Sequence, residues 1–280
     1  MATGTDRGRG LSKIAHDETP GPAAVILAAG LGSRLRPWTD DLPKCLVEVS
    51  GQPILLRALR LLGSLGIERC ICVVGYRGAQ VRLALEQSCS SQRVTVVDAP
   101  EFRRTGTAAS LARGLAVIPD GVDVLVMEGD VVFEAVVLQR LFAAPPSVTA
   151  VASDVPGCNG TFFGVANSDR VVTVHPGIAG RRGFGDVLTK AVNLHLISAE
   201  DLRTQVRPQL HRLLDRAPGA HIEALIGNWI GAGGCLSAVE VGDLRWWEID
   251  DAHDLGIARR LFATGHVADG VCEAPLHGET

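Results

Sequence analysis

The chain has 280 residues, 46% of them hydrophobic and 4% aromatic, with a formal net charge of −4. That length suits one domain with a substantial core, and the charge excludes the strongly basic face by which proteins hold nucleic acid, so a nucleotide partner is expected to be a small molecule. No run is apolar for long enough to span a membrane and no secretory leader is evident, while seven cysteines without a Cys-x-x-Cys pair suit a reducing cytoplasm.

Residues 1–22 are rich in Gly, Thr and charge and are expected to be a disordered tail, as are residues 265–280. Val25–Ala28 reads as a strand and Cys45–Val49 as a short one. Ile54–Leu65 has helical spacing, with Pro53 placed for a first turn. Strands at Arg69–Val74 and Val94–Val97 flank a helix at Ala79–Gln87. A helix at Thr107–Val117 follows, then a strand at Val122–Met127 and a helix at Ala135–Phe142. This alternation predicts a parallel α/β sheet covered on both faces. Cys70 and Cys72 alternate within their strand and read as small core residues.

After Ser147 the rhythm changes. Strand-like runs at Val148–Ser153, Gly164–Ala166, Val171–His175 and Ala191–Leu196 come without regular helices between them. A helix over Ala199–Leu214 is interrupted near Pro208, and another is expected at His221–Ile226. Strands at Ser237–Val241 and Trp246–Ile249 and a helix at Ala252–Phe262 close the pattern, with Asp251 and Asp254 placed to cap that helix.

The most informative stretch is Ala28-Ala29-Gly30-Leu31-Gly32-Ser33-Arg34-Leu35-Arg36-Pro37, with Pro43-Lys44 downstream. Glycines let backbone N–H groups approach an anion, and two cations can neutralise it. A dinucleotide fingerprint needs a third glycine where Leu35 stands. A Walker A loop needs Gly-Lys-Ser/Thr, which is absent. Pro43 forbids a regular helix after the loop, so a long phosphate loop is expected rather than a loop capping a helix.

A second site is expected at Glu128-Gly129-Asp130, at the carboxyl end of an apolar strand, where open α/β sheets bind ligands. Trp246-Trp247-Glu248-Ile249-Asp250-Asp251 is another strand with carboxylates at its end, and a period of two puts Glu248 and Asp250 on one face. If the two strands lie together, their carboxylates converge on one hard cation such as Mg²⁺. An ordinary strand-end turn is the alternative.

The motif from Gly30 to Pro37 through Pro43-Lys44 resembles the signature of nucleotidyltransferases that activate phosphate-bearing small molecules, the sugar-1-phosphate nucleotidylyltransferases and the phosphocholine and phosphonate cytidylyltransferases among them. The resemblance runs from about Ala23 to about Phe262. It implies a Rossmann-like three-layer α/β fold with a mostly parallel mixed sheet: a nucleotidyltransferase domain over 23–264, with a nucleotide-binding half (23–147) and an acceptor-side half (148–264). It also implies attack of an anionic acceptor on the α-phosphorus of a nucleoside triphosphate, with pyrophosphate leaving. Lys44 and Arg34 are then the catalytic cations, Lys44 on the α-phosphate and Arg34 on the β- and γ-phosphates. Ala28, Ala29, Gly30, Gly32 and Ser33 hold the nucleotide, and Arg36 is either a further phosphate contact or a solvated side chain. Thr105, Gly106, Thr107 and Ser110 match the segment that contacts the base, although a helix cap by Thr105 or Thr107 fits equally. Asp130, with Glu248 and Asp250, is the implied Mg²⁺ ligand set.

The acceptor is read from the second half. No Glu-Lys-Pro segment of the sugar-1-phosphate enzymes is present. Lys190-Ala191-Val192-Asn193-Leu194-His195 instead resembles the mid-chain segment of the phosphocholine and phosphonate cytidylyltransferases. That favours CTP as donor. Few aromatic residues are available to cage a choline, whereas His175, Arg181, Arg182, Lys190 and His195 supply cations. A small phosphonate is therefore favoured over phosphocholine, with Lys190, Arg181, Arg182 and His195 as acceptor contacts. A sugar-1-phosphate nucleotidylyltransferase and a non-catalytic nucleotide-binding regulatory module are the alternatives. Neither nucleic acid nor membrane is an expected partner, and a homodimer is left open.

Overall fold

The computed structural model describes residues 21–88, 92–145, 147–153, 155, 159–179 and 187–263. Arg181 and Arg182 lie outside the described residues, as do the expected tails apart from Gly21 and Pro22.

Strand β1 (Ala23–Ala28) is wholly buried, because it lies between two parallel neighbours and under helices on both faces. Its alternate side chains face two different cores. Ala24, Ile26 and Ala28 pack into one, and Ala23, Val25 and Leu27 into the other, as the two-residue period of a strand requires. After β1 come a 3₁₀ turn at Ser33–Leu35 and a second at Lys44–Leu46, then the short strands β2 (Glu48–Val49) and β3 (Gln52–Pro53). The run Cys45–Val49 is thus only partly a strand. Pro53 ends β3 and precedes helix α1 (Ile54–Ser64) rather than opening it.

The rest of the first half is β4 (Arg69–Val74), α2 (Gly78–Gln87), β5 (Arg93–Asp98), α3 (Thr107–Leu115), β6 (Val124–Glu128), β7 (Val131–Phe133) and α4 (Ala135–Ala143). Residues of α1, α2 and α4 cover one face of the sheet and α3 covers the other, which gives three layers. Leu55, Leu59 and Leu62 of α1 are all buried in the first core, each worth roughly 1.5–3 kcal/mol over exposure. Cys70 and Cys72 lie in the same core.

The second half adds β8 (Val148–Ala152), β9 (Asn159–Val165), β10 (Val171–Ala179) and β11 (Val187–Ile197). A continuous helical stretch follows: α5 (Ala199–Asp201), a π-helical segment at Leu202–Val206 and α6 (Arg207–Arg216). The interruption anticipated near Pro208 is this wider π turn. Pro208, at the start of α6, cannot donate a backbone hydrogen bond, and the change of pitch just before it accommodates that loss. The chain then forms α7 (Ile222–Gly231), β12 (Ser237–Glu240), β13 (Trp246–Glu248) and α8 (Ala252–Leu261). Asp251 caps α8 in a capping box with Asp254.

The main sheet has the order β10-β9-β11-β6-β1-β4-β5, with β8 and β12 pairing off it beside β11. Strands β5, β4, β1 and β6 are parallel. Strand β11 runs antiparallel to β6 and to β9. The sheet is therefore mixed, and parallel from β5 through β4 and β1 to β6, a Rossmann-like arrangement. Chain order reverses at β1, which has β4 on one side and β6 on the other. The crevice beyond the carboxyl ends of β1 and β6 is the topological switch point where such sheets bind ligands.

Close packing of α3 on the sheet depends on Gly114. A Cβ there would sit 2.6 Å from Val25 and 3.1 Å from Val73. Gly114→Ala is expected to destabilise the fold by about 1–3 kcal/mol, despite the better helix propensity of alanine, and a lowered urea midpoint at unchanged slope checks it.

Candidate active site

The loop after β1 is held by its own geometry and by a small third core. Gly32 adopts a left-handed conformation, φ 63°, and its Cα hydrogens face Lys44 and Thr39, where a Cβ would come within 3.1 Å of each. The Thr39 hydroxyl donates to the Gly32 carbonyl at 2.7 Å. Leu35, fully buried, anchors the loop among Val47, Val49, Ile54, Val132, Ile249 and Leu255. From outside, the Tyr76 hydroxyl donates to the carbonyls of Thr39 and Asp40, and Arg77 binds Asp41 at 2.6 Å. The segment 36–43 contains no α-helix, in keeping with Pro43.

Lys44 follows at the second 3₁₀ turn, and its ammonium reaches two carboxylates. Nζ lies 2.6 Å from Asp130 Oδ2 and 3.0 Å from Asp250 Oδ1. Arg34 binds the same Asp250 oxygen at 2.7 Å. Burial alone would lower the pKa of Lys44, but the fields of Asp130 and Asp250 and their hydrogen bonds outweigh it and hold the ammonium above its ordinary value. For Asp250, burial raises the carboxyl pKa and Lys44 and Arg34 lower it; the cations prevail, and the group stays below its usual range.

The late acidic strand does lie beside the first. β13 pairs with β7 antiparallel, Glu248 opposite Val131, and the Ile249 N–H donates to the Asp130 carbonyl at 3.0 Å. Ile249 points into the third core, so Glu248 and Asp250 both turn toward Asp130. Oxygens of Glu128, Asp130 and Glu248 lie within 4.8 Å of one another. Asp130 Oδ1 is buried without a hydrogen-bond partner. An orphaned carboxylate oxygen among three converging carboxylates is a donor set that fits a hard divalent cation. Asp250 is not in this group. Its oxygen is committed to Lys44 and Arg34, and Glu128 occupies the position expected of it.

Lys190 is almost fully buried, 1% exposed. Its Nζ binds Glu248 Oε2 at 2.6 Å and donates to the Ala191 carbonyl at 2.8 Å. Asn193 has φ +59° within β11, a left-handed conformation that costs free energy in a strand. There its amide nitrogen bridges Glu248 at 3.0 Å and Glu128 at 3.3 Å. Burial is the leading influence that raises the pKa of Glu128, followed by the neighbouring Asp130 and Glu248 carboxylates. Burial also raises that of Glu248, against the opposing field of Lys190.

A cleft of about 110 Å³ opens at the crevice. Ala28, Ala29, Gly30, Lys44, Thr107, Ser110, Glu128 and Asp130 are among the residues lining it. Five of the nine expected nucleotide contacts (Ala28, Ala29, Gly30, Thr107 and Ser110), with Lys44 and Asp130, therefore line one cleft. Thr105 does not line it; its hydroxyl donates to the Glu101 carbonyl. Gly106 is the residue before α3, and no side chain caps that helix. A Cβ on Gly106 would strike the Ala220 carbonyl at 2.1 Å. The Thr107 hydroxyl accepts from the Ile222 N–H at 3.0 Å, so it serves the start of α7 rather than its own helix.

His195 is not an acceptor contact. Strand alternation turns it into the core behind the sheet, beside Leu111, Val126 and Trp229, where Nδ1 meets the Thr149 hydroxyl at 2.8 Å. Burial pushes its imidazole down to about 4. Glu128 and Asn193 were not singled out from sequence. Glu128 stood beside Asp130, and Asn193 closed the Lys-x-Val-Asn segment, but an extended strand would have pointed Asn193 away from its actual partners.

Residues 24–195 match the model of the MobA-like NTP transferase domain. The chain belongs to that family. Among curated relatives it is similar to a CMP-5'-(3-aminopropyl)phosphonate synthase of Streptomyces rubellomurinus, 33% identical over 261 residues, which is 91% of this chain and 41% of the relative. The chain thus spans about two fifths of that relative's length. Among solved structures it resembles the CTP:phosphocholine cytidylyltransferase of Streptococcus pneumoniae, with TM-score 0.71, 18% identity and coverage of 86% of this chain and 99% of that one. It also resembles the inositol-1-phosphate CTP transferase of T. maritima, with TM-score 0.67, 18% identity and coverage of 87% and 97%. These two likenesses establish the nucleotidyltransferase fold. Among the described residues no helix is long and apolar enough to cross a membrane.

Two outcomes test this geometry. Asn193→Ala is expected to weaken divalent-cation binding roughly 10- to 100-fold by releasing Glu128 and Glu248, measured by calorimetric titration with Mn²⁺ or Mg²⁺. For His195, a folded pKa of about 4 against 6.5 means that the unfolded chain binds the extra proton between those values. Its contribution is fully present above pH 6.5 and is lost as pH falls toward 4, on the order of 3 kcal/mol. His195→Gln should flatten that part of the stability–pH curve obtained by urea denaturation.

Proposed function

We propose that this chain transfers a cytidylyl group from CTP to a small phosphonate or phosphate acceptor and releases pyrophosphate. The supporting observation is the position of Lys44, carried by a glycine loop and poised on Asp130 and Asp250 beside the Glu128–Asp130–Glu248 cluster. CTP as donor draws on the names of the Streptomyces relative and the two solved structures, and the phosphonate on the first of these.

An anionic oxygen of the acceptor attacks the α-phosphorus in line. Its P–O bond forms as the bond to the bridging oxygen breaks, and the electron pair leaves on pyrophosphate. The attacking oxygen is already ionised, so no side chain has to remove a proton. Lys44 exchanges a carboxylate for the α-phosphoryl group and neutralises charge that grows in the transition state. Arg34, 69% exposed at its side chain, exchanges Asp250 for the β- and γ-phosphates. Backbone N–H groups around Gly30, Gly32 and Ser33 complete that grip. Ala28 and Ala29 let the nucleotide approach the end of β1, and Thr107 and Ser110 offer hydroxyls to it. Glu128, Asp130 and Glu248 would hold Mg²⁺, which supplies charge neutralisation for the phosphate oxygens when bound. Asp250 orients Lys44 and Arg34, and Lys190 holds Glu248 in place.

Incubation with CTP, Mg²⁺ and separate arms of small phosphonates, phosphocholine and glucose-1-phosphate should yield a CMP adduct of a phosphonate or phosphocholine by mass spectrometry. A product with glucose-1-phosphate alone would overturn the assignment. Lys44→Ala should lower kcat by at least about 100-fold, read as pyrophosphate release; unchanged turnover defeats the mechanism.

A further inference from the structure

Apolar burial does not hold the outer part of the glycine loop. Leu35 is anchored in the third core, but of residues 36–41 only Thr39 is buried, and Trp38 is 41% exposed. Gly32 packs against Thr39, and the Thr39 hydroxyl donates to the Gly32 carbonyl. The shape of the outer stretch is thereby passed back to the glycine turn. Lys44 is held separately, by Asp130 and Asp250.

The corner between β4 and α2 grips this stretch. The Tyr76 hydroxyl shares its proton between the Asp40 carbonyl at 2.6 Å and the Thr39 carbonyl at 3.0 Å. Arg77 Nη2 donates to the Asp40 carbonyl at 2.9 Å and to Asp41 Oδ1 at 2.6 Å, and its Nε donates to the Tyr76 oxygen at 3.3 Å. Gln80 Nε2 donates to the Asp41 carbonyl at 2.9 Å. The corner also takes the near end of the loop. The Tyr76 N–H donates to the Ala29 carbonyl at 3.0 Å, and a Cβ on Gly75 would come within 2.7 Å of that oxygen. The Arg77–Asp41 pair alone is too exposed to hold much, at 37% and 92%; the ties act as a set. Arg77 adopts φ 52°, the left-handed region that favours glycine. Its guanidinium gains three acceptors there, which offsets the backbone strain.

We propose that Tyr76 and Arg77 are positioning residues for the triphosphate: by clamping both ends of the glycine loop, they order its N–H groups before the nucleotide arrives. This deepens the reading above and rests on its contact between loop and phosphates. A loop that is already ordered loses little freedom on binding, so the clamp adds affinity without touching the ligand. Its effect falls on the β- and γ-phosphates, which the loop grips. The base and the α-phosphate, which meet α3 and Lys44, are little affected.

The test is calorimetric titration of the wild type, Tyr76→Phe and Arg77→Gly with CTP and with CMP, each in Mg²⁺. Tyr76→Phe keeps the ring and deletes the hydroxyl. Glycine suits φ 52°, so Arg77→Gly opens the clamp without straining the backbone, and an unchanged urea midpoint shows that the fold is kept. Each variant is expected to weaken CTP binding by roughly 3- to 10-fold and to leave CMP binding as it was. An equal loss for both nucleotides overturns the inference, since it marks a general structural role, and so does unchanged CTP affinity in both variants. A wild type that binds CTP no more tightly than CMP overturns it as well, because the loop then grips no β- or γ-phosphate. If the wild type prefers another nucleoside triphosphate, the cytidylyl assignment fails, whereas the clamp stands or falls on the same comparison of that triphosphate with its monophosphate.

Discussion

Glu128, Asp130, Glu248 and Asp250 crowd one crevice, and Lys44, Lys190 and Arg34 offset three of these charges while the Asn193 amide holds Glu128. Lys44 joins Asp130 to Asp250, and Lys190 holds Glu248. Each pair links segments far apart in the chain, so the site exists only when the whole sheet is closed. A buried ion pair is weak evidence for stability, because desolvation offsets much of the attraction. Its value here lies in placement. In the proposed reaction, the lysine that holds Asp130 and Asp250 together in the free protein is also the group that neutralises an incoming triphosphate.

The loop and the acidic strand are coupled through a core that is separate from the two that flank the sheet. Leu35 and Ile249 meet in it, with Val47, Val132 and Leu255. Leu35 lies two residues after Ser33 of the glycine loop, and Ile249 lies between Glu248 and Asp250. Burying these two side chains together fixes the distance between the glycine loop and the carboxylates. Leu35, at the position of the dinucleotide fingerprint's third glycine, thus has a structural duty of its own.

The second half of the chain grafts antiparallel strands onto a parallel sheet. Strand β11 spans the joint: residues 187–190 pair with β9 and 194–197 with β6. Between them the register with β8 shifts, and Asn193 takes its left-handed conformation. The irregularity lets Lys190 and Asn193 both reach Glu248, while His195 turns to the opposite side. An uninterrupted strand would separate these groups by face. Local backbone strain at Asn193 is thereby placed where it orders the carboxylates.

Much of this was legible in the chain. The all-apolar Val25–Ala28 run marked a strand, and the structure buries it on both faces at the centre of the sheet. Pro43 excluded a helix after the glycines, and the two-residue period of Trp246–Asp251 put Glu248 and Asp250 on one face. Asp251 and Asp254 announced the cap of α8 by composition alone. These are local signals, carried by period, turn chemistry and capping, and they depend on few neighbours. Which carboxylates gather was decided in three dimensions. Glu128 lies with Asp130 and Glu248, while Asp250 is paired with Lys44 and Arg34. Lys190 and His195, five residues apart in one motif, face opposite sides of β11 by strand alternation, and the left-handed turn at Asn193 brings that residue round to Glu248 beside Lys190. Sequence alone determined the strands, the glycine loop and the family signature, because these follow from the order of neighbouring residues. Tertiary structure decided the pairing of charges, because electrostatic partners are chosen by distance in space and not by position along the chain.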